Sequence, residues 1–375
     1  MATTGRSGVA LVALIASVAA GLRPDFAAAS TLSAADGGPT CPHPSALDNA
    51  TQVLDDLYTD LLSSVNASAW PDADAQTKLW RGLRRSADNR TVEPTTFASD
   101  GPLQIACFLQ QSPEAMRLVA EAKAQIFEPF LAELRAGLSM EALEVVDRGV
   151  FRPQPAALHT VVLVFSEHPS LLDESDRAAW HAVSEPDVHA LGTAVREPIE
   201  QRCALRLRLW GYAITADGSM LLLLEEASGG SSLLEMRDEL QALGTASLGS
   251  LNTRPKKLIH VSAMRLLEWP FGVLNATESA HVQATIQKWT SALANRSFPT
   301  GEALPNIGFD GITARRVQLV RDEQWMMTRR KSYASYTFEG TPSTRKKRRV
   351  RSRVHRAISL EAQPVPGSIS GAEVF

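Results

Sequence analysis

Two of the eight histidines in this 375-residue chain lie in the same kind of sequence setting. His159 is in Leu158-His-Thr-Val-Val and His260 is in Ile259-His-Val-Ser-Ala, each near the start of an apolar run typical of a strand. Successive strand side chains point to opposite faces, so the His260 imidazole and the Ser262 hydroxyl should point the same way. An imidazole can transfer a proton while a hydroxyl donates a hydrogen bond to a phosphoryl oxygen. The pattern therefore indicates phosphate chemistry.

A simpler interpretation makes both histidines hydrogen-bonded core residues, which is the commoner role of histidine in an apolar strand. A metal site is not expected, because the other six histidines show no i, i+4 pairing. The three cysteines match no zinc spacing either. No Gly-x-Ser-x-Gly or His-Glu-x-x-His motif occurs, so serine hydrolase and zinc protease chemistry find no support.

Each histidine opens a series of predicted elements, and the two series have a related order. The strand-like runs are 158–165, 204–215, 219–226, 258–267 and 312–321. The helical runs are 173–199, with a break near Pro186, then 232–243 and 277–294. This order predicts one α/β (α+β) domain over residues 150–330.

The ordered motifs resemble the two-histidine (2H) phosphoesterase superfamily, which includes RNA-ligase-like cyclic nucleotide phosphodiesterases. The segments that carry the resemblance are Leu158-His-Thr followed by His168-Pro169, the hairpin Ala216-Asp-Gly-Ser-Met-Leu-Leu-Leu-Leu224, the block Leu258-Ile-His-Val-Ser-Ala-Met-Arg265, and Trp289. The resemblance covers residues 150–325 and nothing outside them.

The resemblance implies a two-lobed, pseudo-twofold fold with antiparallel sheets and flanking helices. It also implies hydrolysis of 2′,3′-cyclic phosphates or related RNA and nucleotide phosphodiesters, without a metal or another cofactor. His159 and His260 would be the acid and base, in either assignment, and Ser262 would bind phosphate. Thr160 and Arg265 are further candidate substrate contacts. The expected partner is a phosphorylated small molecule or an RNA end.

The first motif departs from the family, because Val161 stands where the family has Ser or Thr. Strict alternation points Thr160 away from His159 and Arg265 away from His260, unless a bulge intervenes. Losing one charge-assisted phosphate contact costs about 1.5–3 kcal/mol. The alternative is therefore a catalytically weakened phosphate-binding or interaction module of the secretory pathway.

The first 29 residues predict a signal peptide. Arg6 precedes an apolar run from Val9 to Ala20, and no acidic residue occurs before Asp25. An organelle leader is the alternative. Five of the seven asparagines lie in glycosylation sequons: Asn49, Asn66, Asn89, Asn275 and Asn295. We expect a secreted or lumenal glycoprotein.

An oxidising lumen favours a disulfide, and we predict Cys41–Cys107, with Cys203 buried beside a strand. Three unrelated thiols are the alternative. Residues 30–46 should be disordered. Residues 47–149 should form a helical N-terminal extension, in which Ser112 is a plausible helix cap.

The end of the chain is strongly basic. Residues 340–375 hold eight Lys or Arg against two Glu, a net charge of +6, which leaves −9 for the rest of a chain of net charge −3. Such a tail is expected to be disordered and can contact anionic partners such as RNA or acidic lipid, or serve as a processing site. Before it, Tyr333, Tyr336 and Phe338 could form one edge strand. The composition predicts no membrane span.

Overall fold

The computed structural model describes residues 48–67, 83–88, 90–97, 101–166, 174–227, 233–248, 258–309 and 311–338. The predicted leader (1–29), the segment 30–46 and the tail (340–375) lie outside these residues.

Eleven strands run through the described segments. They are β1 (Leu83–Arg85), β2 (Val92–Pro94), β3 (Leu103–Phe108), β4 (Val150–Phe151), β5 (His159–Ser166), β6 (Leu205–Ile214), β7 (Ser219–Glu226), β8 (His260–Leu266), β9 (Ile312–Ala314), β10 (Arg316–Gln324) and β11 (Arg329–Thr337). The structure is thus a mixed α+β fold, which confirms the predicted class.

Nine α-helices accompany these strands in the same segments. They are α1 (Asp48–Ala67), α2 (Pro113–Ala122), α3 (Glu128–Arg135), α4 (Met140–Gly149), α5 (Glu174–His181), α6 (Glu185–Ala194), α7 (Arg196–Glu200), α8 (Leu233–Leu248) and α9 (Ala276–Ala294). A π-helical segment, Lys123–Phe127, joins α2 to α3. The Ser112 side chain accepts a hydrogen bond from Ala115 N, so the predicted cap of α2 is confirmed.

A nine-stranded antiparallel sheet organises the fold, in the order β11-β10-β3-β5-β8-β7-β6-β9, with β4 paired to β8. Strand β9 forms one edge, and β10 is the second strand from the other edge. Yet only Arg315 separates β9 from β10 in the chain. The sheet must therefore curl, so that its two ends approach each other.

The two strands that carry the histidines meet through one pair of residues. The pairing of β5 with β8 consists of Thr160 opposite Val261. By contrast, β7 and β8 pair over most of their length. The line between β5 and β8 is therefore where the sheet has the fewest backbone hydrogen bonds to hold it.

Arg237 of α8 reinforces this line from the helix side. Its Nε donates to Val162 O at 2.6 Å, and its Nη2 lies 3.0 Å from Val161 O and 3.1 Å from Leu258 O. The side chain is 2% exposed, and this burial lowers its pKa to about 10, so the guanidinium stays charged at neutral pH. One buried cation thus connects β5 to the residues that enter β8.

Tyr58 of α1 has a similar role next to β7. Its hydroxyl lies 2.6 Å from Leu224 O and 3.0 Å from both Ile259 O and Ile259 N. Burial raises the pKa of Tyr58, so the hydroxyl keeps its proton. Helix α1 therefore packs on the same core as the sheet and is part of the domain.

The predicted domain boundaries need correction in the same region. Residues 47–149 do contain helices, but they also supply β3, which lies between β10 and β5 inside the sheet. All six residues of β3 are buried, so the segment is an integral part of the fold and not a helical extension. At the other end, β11 forms the sheet edge predicted from Tyr333 and Tyr336.

Among the helices of the described segments, none has the length and apolar content that crossing a bilayer requires.

Candidate functional site

His159 is the first residue of β5 and is half-buried. Its Nδ1 lies 2.7 Å from Ala157 O. A carbonyl oxygen can only accept, so Nδ1 carries the proton, and Nε2 is the nitrogen that can exchange one with a ligand. The ring centroid lies 5.8 Å from that of Phe108, the residue opposite His159 on β3.

His260, the first residue of β8, shares the sheet face of His159. The bridge between Thr160 and Val261 sets an antiparallel register that places His159 opposite Ser262 and His260 opposite Val161. The two histidines are therefore diagonal neighbours, at a typical backbone separation of about 7–8 Å. Both are half-buried, while the residues that follow them are buried. The structure thus brings the two predicted residues together on one face.

Ser262 and Arg265 also lie on this face. A register shift between β7 and β8 pairs Met220 with Met264 but Leu221 with Ser262, which leaves Ala263 as an extra residue. This bulge turns Arg265 back toward the face of Ser262. Arg265 Nη2 lies 3.4 Å from Ser262 Oγ, and Nη1 lies 3.9 Å from the Asp217 carboxylate. A cation and a hydroxyl therefore stand beside the histidines.

Thr160 does not join this group, which corrects its assignment as a substrate contact. It is 3% exposed and lies on the opposite, helix-covered face of the sheet. Ile105 pairs with Leu163 and Ala106 with Val161, so Val162 is the extra residue at the register shift in β5. This shift lies two residues after Thr160 and does not rotate it toward the histidines. Val161 is the residue that lies on the histidine face, and it is half-buried.

The two histidines have unlike neighbours. His260 is flanked by Val161 on β5 and by Leu223 on β7, both apolar. His159 is flanked by Ser262 on β8 and by Phe108 on β3. His159 therefore has one polar neighbour across the strands, Ser262, whereas both cross-strand neighbours of His260 are hydrocarbon.

Arg330 of β11 is a cation near His159 that the sequence did not reveal. Its guanidinium carbon lies 3.7 Å from the centroid of the Phe108 ring, and its Nη1 donates to Ala156 O at 3.0 Å. The aromatic spacing predicted a strand in this region. No sequence signal, however, showed that the curl of the sheet carries this strand's side chain to the start of β5.

Asp322 pairs with Arg330 across β10 and β11 and is 3% exposed. Burial raises the pKa of its carboxyl to about 7, although the Met327 amide, which lies 3.2 Å from Oδ2, and the charge of Arg330 both favour ionisation. Burial also lowers the pKa of Arg330, and Asp322 opposes that shift. Near neutral pH, the carboxyl is therefore only partly ionised.

Replacing Asp322 by asparagine is expected to stabilise the protein above pH 7. The pKa is 3.8 for an ordinary aspartate and about 7 here, so between these values the folded state holds a proton that the unfolded state has lost. The free energy of unfolding therefore falls as pH rises through this window, by about 4 kcal/mol in all. Asparagine has no carboxyl that can ionise, so the variant does not lose this stability as pH rises.

Urea unfolding of both proteins at pH 5 and pH 8 measures the effect. The advantage of the variant should grow with pH. Glu226, whose pKa burial also raises to about 7, titrates in both proteins and cancels in the comparison. An advantage that is equal at both pH values would contradict the prediction.

The predicted Cys41–Cys107 disulfide is wrong. Cys107 is a free thiol, buried within β3, and burial raises its pKa to about 12. Cys203 is disulfide-bonded, and Cys41 lies outside the described residues. The error follows from the missed strand, since Cys107 lies in the interior of the sheet.

Four of the five glycosylation candidates lie within the described residues. Asn275 and Asn295 are exposed and flank α9, with the Asn275 side chain capping the helix. Asn49 and Asn66 lie within α1. Asn89 lies outside the described residues, and so does the His168-Pro169 pair.

The described part of the chain holds no group of three or more His, Cys, Asp or Glu placed to bind a metal ion.

No family model matches the chain, and no curated protein matches it. Two solved structures are similar to it at a low level. TT0787 of Thermus thermophilus shares 17% identity over 64% of this chain and 98% of its own, with a TM-score of 0.34. ATU0111 from Agrobacterium tumefaciens, a conserved protein of unknown function, shares 14% identity over 66% of this chain and 94% of its own, with a TM-score of 0.32. Similarity this low carries no argument about function.

Proposed function

We propose that this protein is a metal-independent phosphodiesterase that acts on 2′,3′-cyclic phosphates or related RNA and nucleotide phosphodiesters. The observation that carries the proposal is the position of His159 and His260 on one sheet face, as diagonal neighbours on adjacent strands. Two imidazoles at this spacing can serve a single phosphorus centre from two sides, as general base and general acid.

The proposed reaction is hydrolysis of the cyclic ester. One imidazole accepts a proton from water while the water oxygen bonds to phosphorus. The bond from phosphorus to a ribose oxygen breaks, and the other imidazole protonates that oxygen. Ser262 and Arg265 donate hydrogen bonds to the phosphoryl oxygens, on which negative charge accumulates. Either histidine can take either role.

The proposal includes the two-lobed arrangement implied by the 2H family. One lobe would be β11-β10-β3-β5 and the other β8-β7-β6-β9, joined at the pair Thr160 and Val261. Each lobe then contributes one histidine from its innermost strand. The single bridge between the halves is the support for this division.

Assay of the purified chain with a 2′,3′-cyclic nucleotide, in the presence of a chelator, tests the activity. We expect the wild-type protein to open the ring and His260→Ala to lose this activity. His189→Ala is the matched control, because His189 is exposed on α6 and contacts only Tyr333 among the described rings. Full activity in His260→Ala would end the proposal.

Val161 supports a second candidate, in which the same sheet face binds a phosphorylated ligand without turnover. Its side chain faces His260 where a hydroxyl would otherwise meet the phosphate. We expect Val161→Thr to raise the rate of hydrolysis by roughly 10-fold or more, since a threonine of similar volume restores one phosphate contact.

Val161→Ala is the control for this substitution, because it changes the volume without adding a hydroxyl. Rates of cyclic nucleotide opening and binding affinities should be measured for all three proteins. Ligand binding with no hydrolysis, and a rate gained only in Val161→Thr, would favour the binding module. No gain in Val161→Thr would show that a missing hydroxyl is not what limits the rate.

We also propose that the chain is a secreted or lumenal glycoprotein. The support is the disulfide at Cys203, which is typical of oxidising compartments, and the exposure of Asn275 and Asn295. A glycosidase that releases N-linked glycans should increase the gel mobility of the protein isolated from its native source. Unchanged mobility, with the protein found in a reducing compartment, would contradict the assignment.

A further inference from the structure

Arg330 belongs to the same sheet face as the two histidines. It lies opposite Asp322 on β10, and Asp322 shares a face with Val320, which pairs with Gln104 of β3. Gln104 and Phe108 point to one face because they are an even number of residues apart. Phe108 in turn lies opposite His159. The register thus connects the edge strand β11 to the site through β10 and β3.

The contacts of Arg330 fix its guanidinium beside the start of β5. The group stacks on the Phe108 ring and donates to Ala156 O, while His159 donates to the next carbonyl, that of Ala157. Arg330 and His159 are therefore held by consecutive carbonyls of one segment. Arginine has five N–H donors, and one of them is engaged by a described residue.

Arg330 differs in its charge balance from Arg208 and Arg265, two other arginines of this face. Arg208 lies 2.6 Å from the Glu225 carboxylate, and Arg265 lies 3.9 Å from that of Asp217. Within the described residues, Arg330 forms no ion pair to a carboxylate, and its nearest acidic partner is the partly protonated Asp322. Its positive charge is therefore the least compensated of the three.

His159 has a cationic side chain on each of its two sides along the sheet. Ser262 and Arg265 stand on the β8 side, and Arg330 with Phe108 stands on the β3 side. A phosphate that reacts between the histidines is already served by Ser262 and Arg265. A cation on the far side of His159 therefore suits a separate anionic group of the same molecule.

We infer that Arg330 binds a second phosphate of the substrate, so that the site prefers an oligonucleotide end over a single nucleotide. This inference rests on the proposed function. The terminal phosphate lies between His159 and His260, and the neighbouring backbone phosphate meets the guanidinium of Arg330. The stacked Phe108 ring limits the motion of that guanidinium, which lowers the entropy cost of binding.

Binding of two labelled probes tests the inference without requiring turnover. The probes are an RNA trinucleotide with a 3′-phosphate and the matching 3′-mononucleotide, measured by fluorescence anisotropy against the full chain. We expect Arg330→Met to weaken trinucleotide binding about 10-fold, as for one charge-assisted contact, and to leave mononucleotide binding unchanged. The slope of log affinity against log salt should fall by about 0.7 for the trinucleotide.

Two further variants make the result specific. Arg329→Met is the matched control, because Arg329 is the exposed neighbour on β11 and pairs with Glu323 at 3.3 Å, so its loss should leave both affinities unchanged. Arg330→Lys keeps the charge without the planar fork and should retain the salt slope, and it serves if Arg330→Met fails to fold. Equal losses for both probes, unchanged trinucleotide affinity, or a wild-type protein that binds both probes equally would overturn the inference. Failure of the proposed function would appear instead as a wild-type protein that opens no cyclic phosphate.

Discussion

Replacement of His159 or His260 by alanine is expected to lower the rate of cyclic phosphate opening by about 10²–10⁴-fold in either single variant. Each substitution removes one of the two proton transfers that the reaction needs. The two residues are diagonal neighbours on β5 and β8, so each approaches the phosphorus from its own side and neither can substitute for the other. Substrate binding should change much less, because Ser262 and Arg265 remain in place.

The double variant makes this prediction sharper. Residues that act as one unit give losses that do not add, so the double variant should be little slower than the slower single variant. Single-turnover rates and KM should be measured for the wild type, both single variants, the double variant and the exposed control His189→Ala. Losses that multiply in the double variant would show that the two histidines act independently, and activity near that of the wild type in either single variant would remove that histidine from the chemistry.

Arg237→Met is expected to lower the free energy of unfolding by about 3–5 kcal/mol. Methionine fills the space of the side chain, but three carbonyl oxygens lose their charged donor: the buried one of Val162 and the partly buried ones of Val161 and Leu258. The damage falls where β5 and β8 share only one bridge. We therefore also expect the rate constant kcat to fall more than KM rises, because the spacing of the histidines changes.

Urea unfolding and steady-state kinetics together measure these two effects. Arg84→Met is the control, since Arg84 is exposed and forms a surface ion pair with Glu93 at 3.2 Å, which should contribute at most about 1 kcal/mol. Arg237→Lys keeps the charge but cannot reach both strands, so it should recover part of the stability and little of kcat. A loss below about 1 kcal/mol in Arg237→Met would show that the three carbonyls find other partners.

Local patterns in the sequence were enough to predict most of the elements around the site. The apolar runs after His159 and His260 form β5 and β8, and the turn at Ala216-Asp-Gly joins β6 to β7, with Gly218 at a positive φ of 79°. The helix cap at Ser112 is also as predicted. Each of these features depends on neighbours within a few residues, which a sequence displays directly.

The run Leu103–Phe108 shows where this approach failed. Its six residues include no alternation of polar and apolar side chains, because both faces of β3 are buried in the sheet. A fully buried strand of this length cannot be distinguished by periodicity from a piece of buried helix. The same error produced the wrong disulfide, since Cys107 is part of this strand.

The types of the site residues were evident from the sequence, but their arrangement depends on the tertiary structure. His159, His260 and Ser262 could be chosen from their local motifs. The bulge at Ala263 that returns Arg265 to their face, the burial of Thr160 on the other face and the approach of Arg330 could not. The physical reason is that strand register, bulges and sheet curl arise from pairing between segments far apart in the chain, and no residue's immediate neighbours specify that pairing.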